Sequence, residues 1–301
     1  MPKTPSSPSV FRTQEIEDPS NRYFIHPLSH GLAKLFAKLG ISPNTVSILG
    51  VPFGLVAAFL IFDYESKLNV ITAFLLLGVW HVLDGADGQL ARMTGKTSEL
   101  GKIIDGVCDY LVYIGVYSAM ALALAQQWGP IAWPLALAAG LSHAFQGSLY
   151  EFYRYEYDHW VNDMSSRRVP SLAQAQKDYQ TQSGFKGILA RGYYVYVRAQ
   201  YLGARGREEL RQVMGQSLEH ATPGEAATLR ARYREFNQDA VRKWSILNSN
   251  KRTFAILVCN LLAGPLYYFL FELIFLNAAV VWRGLDQAHR DRTLLAELKR
   301  A

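Results

Sequence analysis

The sequence predicts an all-α polytopic membrane protein: a six-transmembrane-helix bundle with an N-terminal interfacial amphipathic helix and a helical cytoplasmic insertion. Three observations predict it. Half of the 301 residues are hydrophobic, yet mean hydropathy is only +0.02, so the apolar residues must be segregated along the chain. Residues 39–62, 68–83, 110–150 and 253–271 contain no Asp, Glu, Lys or Arg. Residues 151–250, by contrast, hold 15 Lys or Arg and 11 Asp or Glu.

The first 24 residues begin with a run of Pro, Ser and Thr, have no apolar signal-peptide core, and are expected to form a disordered cytoplasmic tail. Between His26 and Leu39, residues Leu28, Leu32, Leu35, Phe36 and Leu39 fall on one helical face, with Lys34 and Lys38 on the other. That pattern suits a helix lying in the headgroup plane. Ile41-Ser42-Pro43-Asn44-Thr45 then breaks it, with Ser42 or Asn44 as the cap of the first span.

A helix needs about 20 apolar residues to cross the hydrocarbon. The uncharged runs therefore give spans at 44–63, 68–91, 101–126, 130–152, 250–264 plus its polar lead-in, and 265–284, the last two turning at Gly264-Pro265. The interfacial helix and first four spans make a unit at 25–152, the insertion runs over 153–246, the last two spans over 247–285, and 286–301 is a cytoplasmic tail. Within the insertion, Glu208 to Glu219 and a run opened by the capping-box spacing Thr222-Pro-Gly-Glu225 are expected helices. The tyrosine-rich stretch from Gly192 to Tyr201 suits either the bilayer interface or a small soluble core.

Lys and Arg concentrate before the first span, between the second and third, after the fourth and after the sixth; the opposite loops contribute only Lys67. The positive-inside rule then puts both termini and the insertion in the cytoplasm, as expected for a multi-pass protein of the inner (cytoplasmic) membrane. The net charge of +6 sits beside spans without a nucleic-acid motif, so nucleic acid is not an expected partner. Cys108 and Cys259 fall inside spans and are expected to be buried thiols rather than a disulfide pair.

Two stretches stand out against this background. Asp84-Gly-Ala-Asp87-Gly88-Gln-Leu-Ala91-Arg92 ends the second span, and Gly101-Lys-Ile-Ile-Asp105-Gly-Val-Cys-Asp109 begins the third. At 3.6 residues per turn, Asp84, Asp87 and Gly88 share one face, as do Gly101, Asp105 and Asp109. An antiparallel hairpin would bring the faces together. Carboxylates at membrane depth are costly and repel one another, so a neutralising cation is expected. An all-oxygen cluster suits a hard divalent ion, Mg2+ or Mn2+, shared with substrate phosphates. Arg92, one turn beyond Gly88, is placed to clamp a phosphate or to anchor the helix end at the interface.

These residues resemble the CDP-alcohol phosphotransferase (CDP-alcohol phosphatidyltransferase) family, whose signature D-x2-D-G-x2-A-R-x8-G-x3-D-x3-D is matched at Asp84, Asp87, Gly88, Ala91, Arg92, Gly101, Asp105 and Asp109. The resemblance implies transfer of a phosphatidyl or other phosphoalcohol group from a CDP-linked donor to an acceptor alcohol, with release of CMP and dependence on two Mg2+ or Mn2+ ions. It implies that Asp84, Asp87 and Asp105 ligate metal, and that Asp109 stands near the second ion as general base. It also implies that Gly88, Arg92 and Ser98, with Asn44 and Ser47 of the elbow, contact the CDP part, and that the protein is a homodimer among membrane lipids. CDP-diacylglycerol is the expected donor, with a small alcohol or alcohol phosphate as acceptor. A CDP-choline- or ethanolamine-type transfer to a lipid acceptor stays open, and a divalent-cation transporter is the alternative from another class. Arg154, Lys251 and Arg252 are candidate partners for an acceptor phosphate, and His143 and Glu272 are intramembrane ionisable groups. The insertion has no counterpart in the resemblance.

Overall fold

The computed structural model describes residues 13–163, 171–204 and 206–300. Among them there are helices and no strands. The chain divides into two compact units, one of Met1–Leu141 with Ser249–Ile274, the other of Ser142–Asn248 with Phe275–Ala301.

In the first unit, α1 (His26–Lys38), α2 (Pro43–Phe62), α3 (Lys67–Thr94) and α4 (Glu99–Trp128) follow one another through short turns. Each of the last three starts on a serine cap: Ser42, Ser66 and Ser98 accept from the backbone N–H three residues on. Gly95, at φ 67°, ends α3 and turns the chain into α4. Both α3 and α4 pack on α2, and a Cβ on Gly54 would overlap the methyls of Val112, so α2 and α4 touch almost backbone to backbone there. The shared core is apolar, with Ala57, Ile61, Leu77, Trp80, Val116 and Met120 buried.

Helix α1 keeps its amphipathic character, and the side it turns toward α3 is its small-residue side. Ser29 and Ala33 are buried against α3, where Ser29 Oγ donates to the Val82 carbonyl (2.8 Å) and fills the space beside Gly85. Leu32 and Phe36 pack against the cluster of Val46, Leu83, Ala86 and Leu90, while Leu28, Leu35 and Leu39 face outward. The small residues win the inner face because they allow the closer approach.

Three expected boundaries move. Residues 1–12 lie outside the described residues, but residues 13–24, read as part of a disordered tail, form two short helical turns with Ile16, Glu17 and Asp18 buried. Asp18 pairs with Lys251 (2.6 Å), and Asn250 donates to Ser20 and Asn21. At the other end, α12 (Asn277–Leu298) continues through the supposed tail, burying Gln287, Asp291 and Leu294. Between them, α5 (Ala132–Asn162) crosses the expected start of the insertion at residue 153 without a break.

Among the described residues, four stretches are long and apolar enough to cross a membrane: Pro43–Phe62, Lys67–Thr94, Leu100–Asn162 and Pro265–Leu298. The third contains both α4 and α5, joined at the turn Gly129–Ile131. The protein is therefore a multi-pass helical membrane protein. Helix α10 (Ser249–Leu262), read as the fifth span, has 14 residues, about 21 Å at 1.5 Å per residue, and falls short of that length. Gly264 (φ 93°) makes the expected turn into α11 (Pro265–Leu270), and a π-helical stretch, Phe271–Leu276, leads from there to α12.

The second unit holds α6 (Leu172–Thr181), α7 (Gly184–Gly203), α8 (Glu208–His220) and α9 (Pro223–Trp244) with the later part of α5 and all of α12. The capping box at Thr222 and Glu225 is formed, and hydrogen bonding to Thr222 holds the exposed Glu225 carboxyl below its ordinary value. A buried polar cluster ties this unit together. Arg207 pairs with Asp291 (2.9 Å), donates to the Tyr233 hydroxyl and lies over the Tyr153 ring, while Gln287 bridges Asn237 and Asp291. Arg211 pairs with buried Glu156 at 3.1 Å.

Candidate active site

Helices α3 and α4 run as the expected hairpin, and their motif faces meet. Carboxylate oxygens of Asp84, Asp105 and Asp109 all lie within 4.8 Å of one another, and all three residues are half-buried. Ligand atoms this close, drawn from acidic side chains alone, fit a hard divalent cation that also keeps positions for substrate oxygens. Asp87 is buried just beside them, facing Asp105 and Asp84. It stands outside the tight trio because Ser47 Oγ donates to its Oδ2, drawing that oxygen toward α2.

The elbow residues converge on the same place. Ser47 also reaches the Pro43 carbonyl (3.3 Å). A Cβ on Gly101 would sit 3.1 Å from Ser98 Oγ and 3.2 Å from Asn44 Oδ1, so Asn44, Ser98 and Gly101 line one spot at the start of α4. Ser98 there spends its oxygen on the Gly101 N–H (3.0 Å) as helix cap. The Arg92 guanidinium folds back over Gly88, where an added Cβ would come within 3.3 Å of it. A side chain at 88 would therefore press on that guanidinium.

Residues 41–174 match the family model described as CDP-alcohol phosphatidyltransferase. This stretch is a CDP-alcohol phosphatidyltransferase domain. Its similarity to an archaetidylinositol phosphate synthase of Pyrococcus horikoshii is 38% identity over 98 residues, covering 32% of this chain and 50% of that protein. A choline/ethanolaminephosphotransferase 2 of Arabidopsis thaliana is 32% identical over 97 residues (30% of this chain, 25% of that one). A CDP-diacylglycerol–serine O-phosphatidyltransferase of Mycobacterium tuberculosis is 31% identical over 101 residues, a third of each chain. The chain thus spans half or less of the length of these relatives.

The remaining sequence candidates are engaged elsewhere. Arg252 is fully buried and pairs with Glu272 (3.2 Å), which also accepts from the Tyr268 hydroxyl; Tyr268 in turn meets Tyr117 of α4. Lys251 is held by Asp18, and Arg154 pairs with Glu151 at 2.8 Å. His143 is half-buried in α5. Sequence reasoning missed His81, one turn before Asp84. It is buried, and its Nε2 lies 2.8 Å from Thr253 Oγ1, joining α3 to α10 beside the phosphatidyltransferase motif. An ionisable ring inside the uncharged 68–83 run was the available signal.

Proposed function

We propose that this protein transfers a phosphatidyl or related phosphoalcohol group from a CDP-linked lipid, CDP-diacylglycerol in the first instance, to an acceptor alcohol and releases CMP. The observation that carries this reading is the Asp84, Asp105 and Asp109 trio within 4.8 Å, with Asp87 at its edge. These four aspartates would hold Mg2+ or Mn2+, two ions by the family resemblance. Bound there, the metal supplies positive charge against the phosphoryl oxygens and the departing phosphate.

The residues divide the rest of the work. Arg92, beside the cleared surface of Gly88, offers a guanidinium to the donor's phosphates. Asn44, Ser47 and Ser98 present short polar side chains to the nucleotide end. Asp109 lies deepest along α4 and takes the acceptor hydroxyl's proton as that oxygen bonds to the β-phosphorus and the bond to the CMP oxygen breaks. A cation path through the bilayer finds no support, because the 110–150 run beyond Asp109 supplies no further carboxylate and Glu272 is paired with Arg252.

The charge map supports an inner-membrane protein with the active site and both termini facing the cytoplasm, and the resemblance supports a homodimer. The test is to incubate the detergent-purified chain with Mg2+ or Mn2+, CDP-diacylglycerol and a panel of alcohols and alcohol phosphates. CMP should appear with at least one acceptor. Its absence with every donor and acceptor pair would reject the transferase reading.

A further inference from the structure

Helix α7 carries an apolar stripe that no other part of the described chain covers. Ile188, Val195 and Leu202 recur every seven residues along it and are 70%, 60% and 45% exposed. The opposite face of the same helix is packed, with Ala190, Val197, Gln200 and Ala204 buried. Val195 and Val197 are two positions apart, yet one is open and the other closed. Exposed apolar stripes of this kind mark a binding surface.

The charges of α7 say what that surface meets. From Gly184 to Gly203 there is no Asp or Glu, while Lys186, Arg191 and Arg198 are all exposed. At 100° per residue, Arg191 and Arg198 fall along one border of the stripe, and Gly192 and Ala199 along the other.

The level at which α7 joins its unit agrees. Gln200 donates to the Ser148 carbonyl, Gly203 packs on Leu149, and Tyr201 meets the Phe152 ring. On α5 the uncharged run ends at Tyr150, followed at once by Glu151. The C-terminal end of α7 is therefore fastened to α5 at the level where the uncharged run of α5 ends.

We propose that α7 is a second interfacial helix, docking its Ile188, Val195 and Leu202 stripe into the headgroup boundary of an anionic membrane, with Arg191 and Arg198 on lipid phosphates. The insertion is then seated on the bilayer by its own helix as well as held by α5 and α12.

The test uses the full chain with Val195→Cys labelled with bimane and reconstituted in phosphatidylcholine vesicles with 0 or 30% phosphatidylglycerol. Part of the lipid carries bromine in its upper acyl chain. Unsubstituted protein gives the labelling background from the native cysteines, and Glu219→Cys on α8 serves as a water-facing control. The expected result is blue-shifted emission and at least twofold bromine quenching at position 195, deepened by phosphatidylglycerol, with neither effect at 219. Arg191→Gln with Arg198→Gln should remove the dependence on phosphatidylglycerol. Water-like, unquenched emission at 195 overturns the proposal. So does unquenched label together with a 195-to-195 disulfide formed between copies of the unlabelled Val195→Cys variant under added oxidant, which would make a second copy the occupant. Quenching indifferent to the anionic lipid overturns the role given to the arginines.

Discussion

Ser47 on α2 donates a hydrogen bond to Asp87 on α3, joining residues 40 positions apart at the edge of the carboxylate trio. The bond fixes one oxygen of Asp87 and leaves the other for a ligand. A hydrogen bond to a charged group is worth about 1.5 to 3 kcal/mol, so Ser47→Ala should lower CMP release roughly ten- to hundredfold. Steady-state assays should show the loss with an increased requirement for Mg2+ or Mn2+, since Asp87 is then free to swing away from the site.

Asp84→Asn should act on metal rather than on the proton. It removes one charged oxygen from a trio spanning 4.8 Å. Titration with Mn2+ followed by electron paramagnetic resonance should show affinity weakened at least tenfold, while thermal unfolding in detergent stays near that of the parent. Unchanged Mn2+ affinity would remove Asp84 from the ligand set.

Gly54 sets the distance between α2 and α4. Because a Cβ there would overlap both methyls of Val112, Gly54→Ala should destabilise the detergent-solubilised protein by about 1 to 3 kcal/mol, as overpacking does. Val112→Ala in the same chain should restore much of the unfolding temperature. Failure of that rescue would place the strain elsewhere.

The segment before α1 should be a strap with an acid-sensitive clasp. Burial opposes the Asp18 carboxylate, but hydrogen bonds from Lys251 and Ser20, with the Lys251 charge, outweigh it and hold it below its ordinary 3.8. A carboxyl lowered by folding stabilises the folded state above its unfolded value and loses that contribution as pH falls through the folded one. A spin label at Tyr23→Cys should therefore be immobile at neutral pH and gain mobility below about pH 3.8. Adding Asp18→Asn should make it mobile at pH 7 and indifferent to acid.

The site was legible because its chemistry is local. Four aspartates on two helical faces need only the 3.6-residue period and a short turn to meet, and the serine, glycine and proline signals that make the turns stand in the sequence. What escaped depends on partners far apart in the chain. Asp18 looks like any polar residue in a tail until Lys251 is beside it, and Asp291 until Arg207 is. The side of α1 that packs on α3 was hidden for a related reason: hydrophobic size marks what prefers to leave water, while Ser29 and Ala33 are chosen by fit against Gly85 and Ala86. The length of α10 was obscured because its polar lead-in belongs to the preceding turn.

The most direct test of the account compares Asp109→Asn with the parent in a single-turnover assay on CDP-diacylglycerol, with Mn2+ present and after chelation. The account predicts metal-dependent CMP release by the parent. It predicts no release by Asp109→Asn, which should still bind the donor. CMP release that survives chelation, or an Asp109→Asn variant that turns over at the parent rate, would contradict it.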